Sequence, residues 1–220
     1  MSLDCIQLQT GANPKVSIIV LHGLGADGND FVPIAQELQL AALGDVRFVF
    51  PHAPTMPVTI NGGMVMRAWY DIVGADLVKR EDEAGLRKSM GLVESLLEAE
   101  RERGIAPERT VLMGFSQGCA LTLLTGLRHA HRLAGLVGLS GYLPLAASTA
   151  AERSAANAKT PVFLAHGQHD GVVPIARAVA SRELLVSLGQ PVEWHEYPVQ
   201  HSVSMEEIVD LNRWLLKVLA

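Results

Sequence analysis

Short runs of β-branched and apolar residues at 16–21, 46–50, 110–115, 133–139, 161–165 and 192–197 alternate along this chain with longer segments of helical period. That alternation constrains the fold more than any other feature. Strands buried on both faces read as continuous apolar runs, and parallel strands need crossovers long enough to hold a helix. The helical segments are 30–40, 83–103, 117–128, 174–188 and 204–219. Asp30 and Ser204 are the expected N-caps, with Glu207 completing a capping box behind Ser204; Gly104 and Gly189 fall where helices stop. The expectation is a three-layer α/β fold, a mostly parallel central sheet flanked by helices. The run 192–197 alternates more than the others, which places it nearer a sheet edge.

The chain has 220 residues, 49% of them hydrophobic, enough for one large core, so residues 1–220 are expected to form a single domain. The net charge of -5 and the scattering of 18 Lys and Arg residues exclude binding to nucleic acid through a basic patch. The N-terminus carries Asp4 and no basic segment followed by an apolar core, so a cytoplasmic address is expected rather than secretion. Cys5 and Cys119 are far apart and read as reduced thiols. Residues 133–151 lack charge but include Ser140, Gly141, Pro144, Ser148 and Thr149, which suits a buried strand and loop and not an integral membrane span. The stretch 51–76 is irregular, yet Met64, Met66, Trp69 and Tyr70 make it too apolar for disorder, so it is expected to pack over the body. Residues 141–160, rich in Ala and Ser, read as either a short helix or a surface loop.

The sharpest chemical signal is Gly114-Phe115-Ser116-Gln117-Gly118, a G-x-S-x-G motif between a strand run and a helical run. In that context the serine sits on a tight, strained turn, and small residues on both sides let strand and helix approach. A serine hydroxyl needs a base, and the base needs an acid to fix its tautomer. The expected chain order is Ser, acid, His. Of the Asp residues after Ser116, Asp210 lies in the final helix beyond every histidine, leaving Asp170 after the run 161–165. Among eight histidines, His22, His52, His129 and His131 are excluded by order or helix-end position; His166 and His169 precede Asp170, and His195 lies within a strand. His201 alone follows the last strand, and it is the expected base.

The loop "LHGLGADG" has two competing readings. Gly23, Gly25 and Gly28 spell the G-x-G-x-x-G of a dinucleotide turn. That reading requires an acid at the end of the next strand, where Pro51-His52 stands instead; Asp45 comes before that strand. Read as His22-Gly23-Leu24-Gly25, the loop supplies a backbone N–H to a developing oxyanion. Leu24 is the expected donor, paired with Gln117 after the nucleophile.

Over nearly its whole length the chain resembles the acyl-protein thioesterase and carboxylesterase (phospholipase/carboxylesterase) family of α/β-hydrolases. The likeness rests on "LHGLGADGNDF", "PHAP", "NGGMVMRAWYDI", "GFSQG", "LSGYLP", "HGQHDGVVP" and His201-Ser202. It implies an α/β-hydrolase fold without a large cap domain, with Ser116, Asp170 and His201 as triad and Leu24 and Gln117 as oxyanion donors. It further implies hydrolysis of carboxylic esters or thioesters, with lysophospholipids a further class, without metal or cofactor, and it allows a homodimer. It also implies that the segment from Met64 to Trp69 borders an acyl groove. Cys119 stands where the family usually has Gly, and Val199-Gln200 where a Gly commonly precedes the histidine. The competing classes are a non-catalytic ligand-binding protein on a hydrolase scaffold, which has no use for an intact triad, and a dienelactone-hydrolase-like enzyme, which more typically carries Cys at the Ser116 position.

Overall fold

The structure, a computed structural model, describes residues 3–74 and 81–220. Residues 75 and 76, the end of the irregular stretch, lie outside the described residues. The strands are β1 (Cys5–Gln9), β2 (Val16–Leu21), β3 (Val46–Pro51), β4 (Thr55–Val58), β5 (Met64–Arg67), β6 (Thr110–Phe115), β7 (Gly135–Leu139), β8 (Val162–Gly167) and β9 (Val192–Tyr197). The α-helices are α1 (Val32–Glu37), α2 (Glu83–Glu102), α3 (Gln117–Arg128), α4 (Ala146–Glu152), α5 (Ile175–Ser187) and α6 (Met205–Val218).

One seven-stranded sheet runs β1-β3-β2-β6-β7-β8-β9, with β4 and β5 forming a separate antiparallel hairpin. Every pairing in the large sheet is parallel except β1 with β3. β2 is buried throughout, but its residues still alternate between layers. Ile19 and Leu21 join the core built with Leu86, Val93 and Leu97 of α2, Leu121 and Leu124 of α3, and Leu185 of α5. Val16, Ile18 and Val20 join the opposite core with Leu211, Trp214 and Leu215 of α6. The chain winds outward from β2 to β3 in one direction and from β6 to β9 in the other. The carboxyl ends of β2 and β6 therefore flank the point where the strand order reverses, the place where open α/β sheets form their sites. Among the described residues no helix is long and apolar enough to cross a membrane.

The structure adjusts several sequence expectations. The helix expected over 30–40 is a 3-10 turn, Gly28–Phe31, running into the short α1. Its N-cap is Asp27 and not Asp30: Asp27 caps the Asn29 N–H, and Asp30 reaches back to the Asp27 N–H in a capping box. β9 is an edge strand, as its alternation suggested. The open choice at 141–160 resolves to a short helix, α4, followed by a 3-10 turn.

Only half of the box expected at Ser204 forms. Its hydroxyl accepts the Glu207 N–H at 3.1 Å, but both carboxyl oxygens of Glu207 are buried with no hydrogen-bond partner among the described residues. Burial pushes this carboxyl up to about 7 from an ordinary 4.5. The folded state holds the proton longer than the unfolded chain, so stability falls as pH rises from about 4.5 to about 7 and stays lower above that window. Glu207→Gln is therefore expected to stabilise the fold by on the order of 1–3 kcal/mol at pH 8 and by far less near pH 5. Chemical denaturation at both pH values reads this directly, and equal effects would show that the carboxyl does not titrate in between.

Candidate active site

Ser116 joins β6 to α3 with φ 55 and ψ −115, a conformation that costs an L-residue about 1–3 kcal/mol. The two motif glycines make the turn sterically possible. A Cβ on Gly114 would lie 2.2 Å from the Gly118 carbonyl oxygen, and one on Gly118 would lie 2.1 Å from that of Leu21. With anything larger, β6, α3 and β2 could not meet, and the hydroxyl would not be held above the sheet edge.

His201 lies in the loop between β9 and α6, and Asp170 in the loop after β8. His201 Nε2 is 2.9 Å from Ser116 Oγ, and its Nδ1 is 2.6 Å from Asp170 Oδ2. Asp170 Oδ1 accepts the N–H groups of Val172 and Val173, each at 2.8 Å, so the carboxylate is held from both sides. His166 is fully buried behind it; its Nε2–H donates to the Val173 carbonyl at 2.8 Å and lies 3.3 Å from Asp170 Oδ2. Burial lowers the His166 pKa, keeping that ring neutral. The Phe115 ring packs 4.7 Å from that of His201.

The loop after β2 is fixed by a second buried histidine. His22 Nδ1–H donates to the Gly23 carbonyl at 2.7 Å, and its Nε2 accepts the Ala53 N–H at 3.0 Å. Burial depresses its pKa, which preserves the lone pair that this second bond needs. The Gly25 N–H donates to the Arg67 carbonyl at 2.9 Å, tying the loop to the hairpin. Gly28 answers the dinucleotide question: a Cβ there would sit 2.6 Å from the Phe50 carbonyl, so this glycine serves packing against β3. The Leu24 N–H has no acceptor among the described residues. Gln117 opens α3, so its N–H has no intrahelical acceptor either. The Gln117 side chain is pinned, accepting the Trp69 N–H at 2.8 Å and donating to the Tyr70 carbonyl at 2.7 Å.

Ser116 separates two clefts, of about 450 and 400 Å³. The first is lined by Phe31, Ile34, Phe115, His201 and Val203, the second by Ile60, Tyr70, Ile72, Gln117 and Tyr142; Leu24, Ser116 and Val172 border both. Sequence reasoning placed Met64 and Trp69 on the substrate groove, and neither lines these clefts. Trp69 is only 2% exposed and acts as a prop, its indole N–H donating to the His22 carbonyl at 2.9 Å. Met64 is 64% exposed on the hairpin. Their neighbours Tyr70 and Ile72 line the groove instead, with Val172 and Val173 from the acid loop. The signal available for the latter was the apolar pair in "DGVVP", directly after Asp170; Val172 is 66% exposed, which a packing role does not explain.

A sequence model of the phospholipase/carboxylesterase family matches residues 4–219. An acyl-protein thioesterase 1 of Yarrowia lipolytica is 39% identical over 215 residues, covering 96% of this chain and 95% of its own length. Another, of Mycosarcoma maydis, is 41% identical over 229 residues, covering 97% and 95%. Among solved structures, Arabidopsis thaliana SOBER1 superposes with a TM-score of 0.88 at 31% identity, covering 93% of this chain and 99% of that one. Zea mays acyl-protein thioesterase 2 gives 0.86 at 29% identity, covering 99% of both chains.

Proposed function

The chain belongs to the phospholipase/carboxylesterase family of α/β-hydrolases and is a serine hydrolase of esters or thioesters, and on that premise we propose a Ser116-His201-Asp170 acyl-enzyme mechanism carried out by one α/β-hydrolase domain. The observation that carries this reading is the continuous line of hydrogen bonds Ser116–His201–Asp170, at 2.9 and 2.6 Å, from three loops far apart in sequence.

In the first half-reaction His201 Nε2 takes the Ser116 hydroxyl proton as Oγ attacks the acyl carbon. Asp170 keeps the other ring proton on Nδ1 and offsets the imidazolium charge. The developing oxyanion is met by the Leu24 and Gln117 N–H groups, each typically worth about 3 kcal/mol in the transition state. His201 then gives its proton to the departing oxygen or sulfur, leaving the acyl group on Ser116. Water repeats the sequence in the second half-reaction, with His201 again as base, and frees the acid and the serine. The cleft walled by Ile60, Tyr70, Ile72 and Tyr142 has no charged residue among its described lining, which suits an apolar acyl chain.

A fluorophosphonate probe tests this reading. It is expected to label one residue per chain, Ser116, and to abolish hydrolysis of p-nitrophenyl butyrate in proportion to labelling. An unlabelled Ser116 in a chain that still turns over the ester would overturn the mechanism. No labelling and no turnover would favour a ligand-binding role.

A further inference from the structure

The two clefts that meet at Ser116 differ in which partner of the reaction they contain: His201 lines one and Gln117 the other. On the mechanism proposed above, the imidazole hands its proton to the departing atom, so that atom must leave on the imidazole's side. The acyl chain is then directed to the Gln117 side, whose walls carry no charge among the described residues. We infer that the cleft beside His201 is the leaving-group subsite and that Asp30 makes it select alcohols and thiols carrying a positive charge over those carrying a negative one.

The composition of that cleft supports the selection. Its walls include Ala26, Phe31, Ile34, Phe115 and Val203, which are apolar, and Asp30 is the one carboxylate among the described residues that line it. Among the described residues no Lys or Arg lines it. Asp30 is held in place because its Oδ2 accepts the Asp27 N–H at 2.7 Å in the capping box of the turn. Asp27 does not line the cleft but stands beside Asp30, and the hydrogen bonds from Asn29 lower its pKa, so it adds a second negative charge behind the first. The guanidinium acting on Asp27 is that of Arg67, which is not among the described residues that line the cleft and donates to the Ala53 carbonyl at 2.8 Å. A negative rim above low-dielectric walls attracts cations and repels anions, with an effect that salt screens.

The test uses three thioesters of one acyl group: butyrylthiocholine, S-butyryl-2-mercaptoethanol and S-butyryl thioglycolate, which are cationic, neutral and anionic in the leaving group. At low ionic strength kcat/KM is expected to fall in that order, by about tenfold from first to last, and to converge as salt is added. Asp30→Asn keeps an acceptor for the Asp27 N–H and is expected to shrink the cation-to-anion ratio about fivefold. A ratio unchanged by Asp30→Asn, or a common loss on all three substrates, would overturn the inference. The salt series on the unaltered protein is an independent arm, and rates indifferent to salt would overturn it equally. Turnover of all three without any ranking would leave the triad standing and sink only the subsite. Absence of turnover with all three would sink both.

Discussion

Ser116→Ala is expected to lower kcat/KM for a carboxylic ester by about a million-fold, or roughly 8 kcal/mol of transition-state stabilisation. The loss should be this large because the chain offers no substitute nucleophile at the site. Cys119, one turn into α3, is the nearest thiol in sequence, but it is buried, and burial pushes its pKa up to about 12. Cys5 is pushed up to about 11, chiefly by burial, and belongs to β1 at the far edge of the sheet. The fold should tolerate the change, since among the described residues the Ser116 side chain makes no hydrogen bond other than that to His201. A thermal melt close to that of the unaltered protein, with turnover at background, is the expected pair of results. Activity within a hundredfold of the original would place the nucleophile elsewhere.

How far the sequence could reach depended on whether local chemistry or tertiary contact decides each feature. Residues 110–128 were legible because the elbow is a local steric problem: two close backbone approaches exclude side chains at Gly114 and Gly118, and the strand and helix on either side have strong periods. Chain order then singled out Asp170 and His201, and the structure brings both within hydrogen-bond reach. β1 was not found, because Cys5–Gln9 buries little of itself and depends on antiparallel pairing with β3. The hairpin β4–β5 was read as irregular, since Pro57 and the glycines at 62 and 63 obscure its alternation. That Met64 and Trp69, expected at the groove, do not line the two clefts has a related reason. Within "RAWYDI" the side chains diverge: Trp69 turns into the core to support the loop after β2, while Tyr70 and Ile72 line the cleft. Nothing in the local sequence distinguishes those directions, because the Trp69 partners, His22 and Gln117, come from the loop after β2 and the first turn of α3.

Asp170→Asn is expected to cost about ten-thousandfold in turnover while leaving the fold intact, and the hydrogen bonds around the carboxylate show why. Oδ1 accepts from Val172 and Val173, so an asparagine there must keep its oxygen on those two N–H groups. Its amide nitrogen then faces His201 Nδ1, where Oδ2 accepts the Nδ1–H hydrogen bond at 2.6 Å in the unaltered protein. A donor in that place forces the imidazole to carry its proton on Nε2, facing Ser116 Oγ. The ring can then only donate to the hydroxyl it should deprotonate. The flipped orientation offers no relief, because it would set the amide N–H groups against the two N–H donors of Val172 and Val173. A loss confined to turnover, with the melting temperature nearly unchanged, would match this account. A loss of less than about a hundredfold would mean that His201 holds its productive tautomer without Asp170, and that the acid's proposed role is wrong.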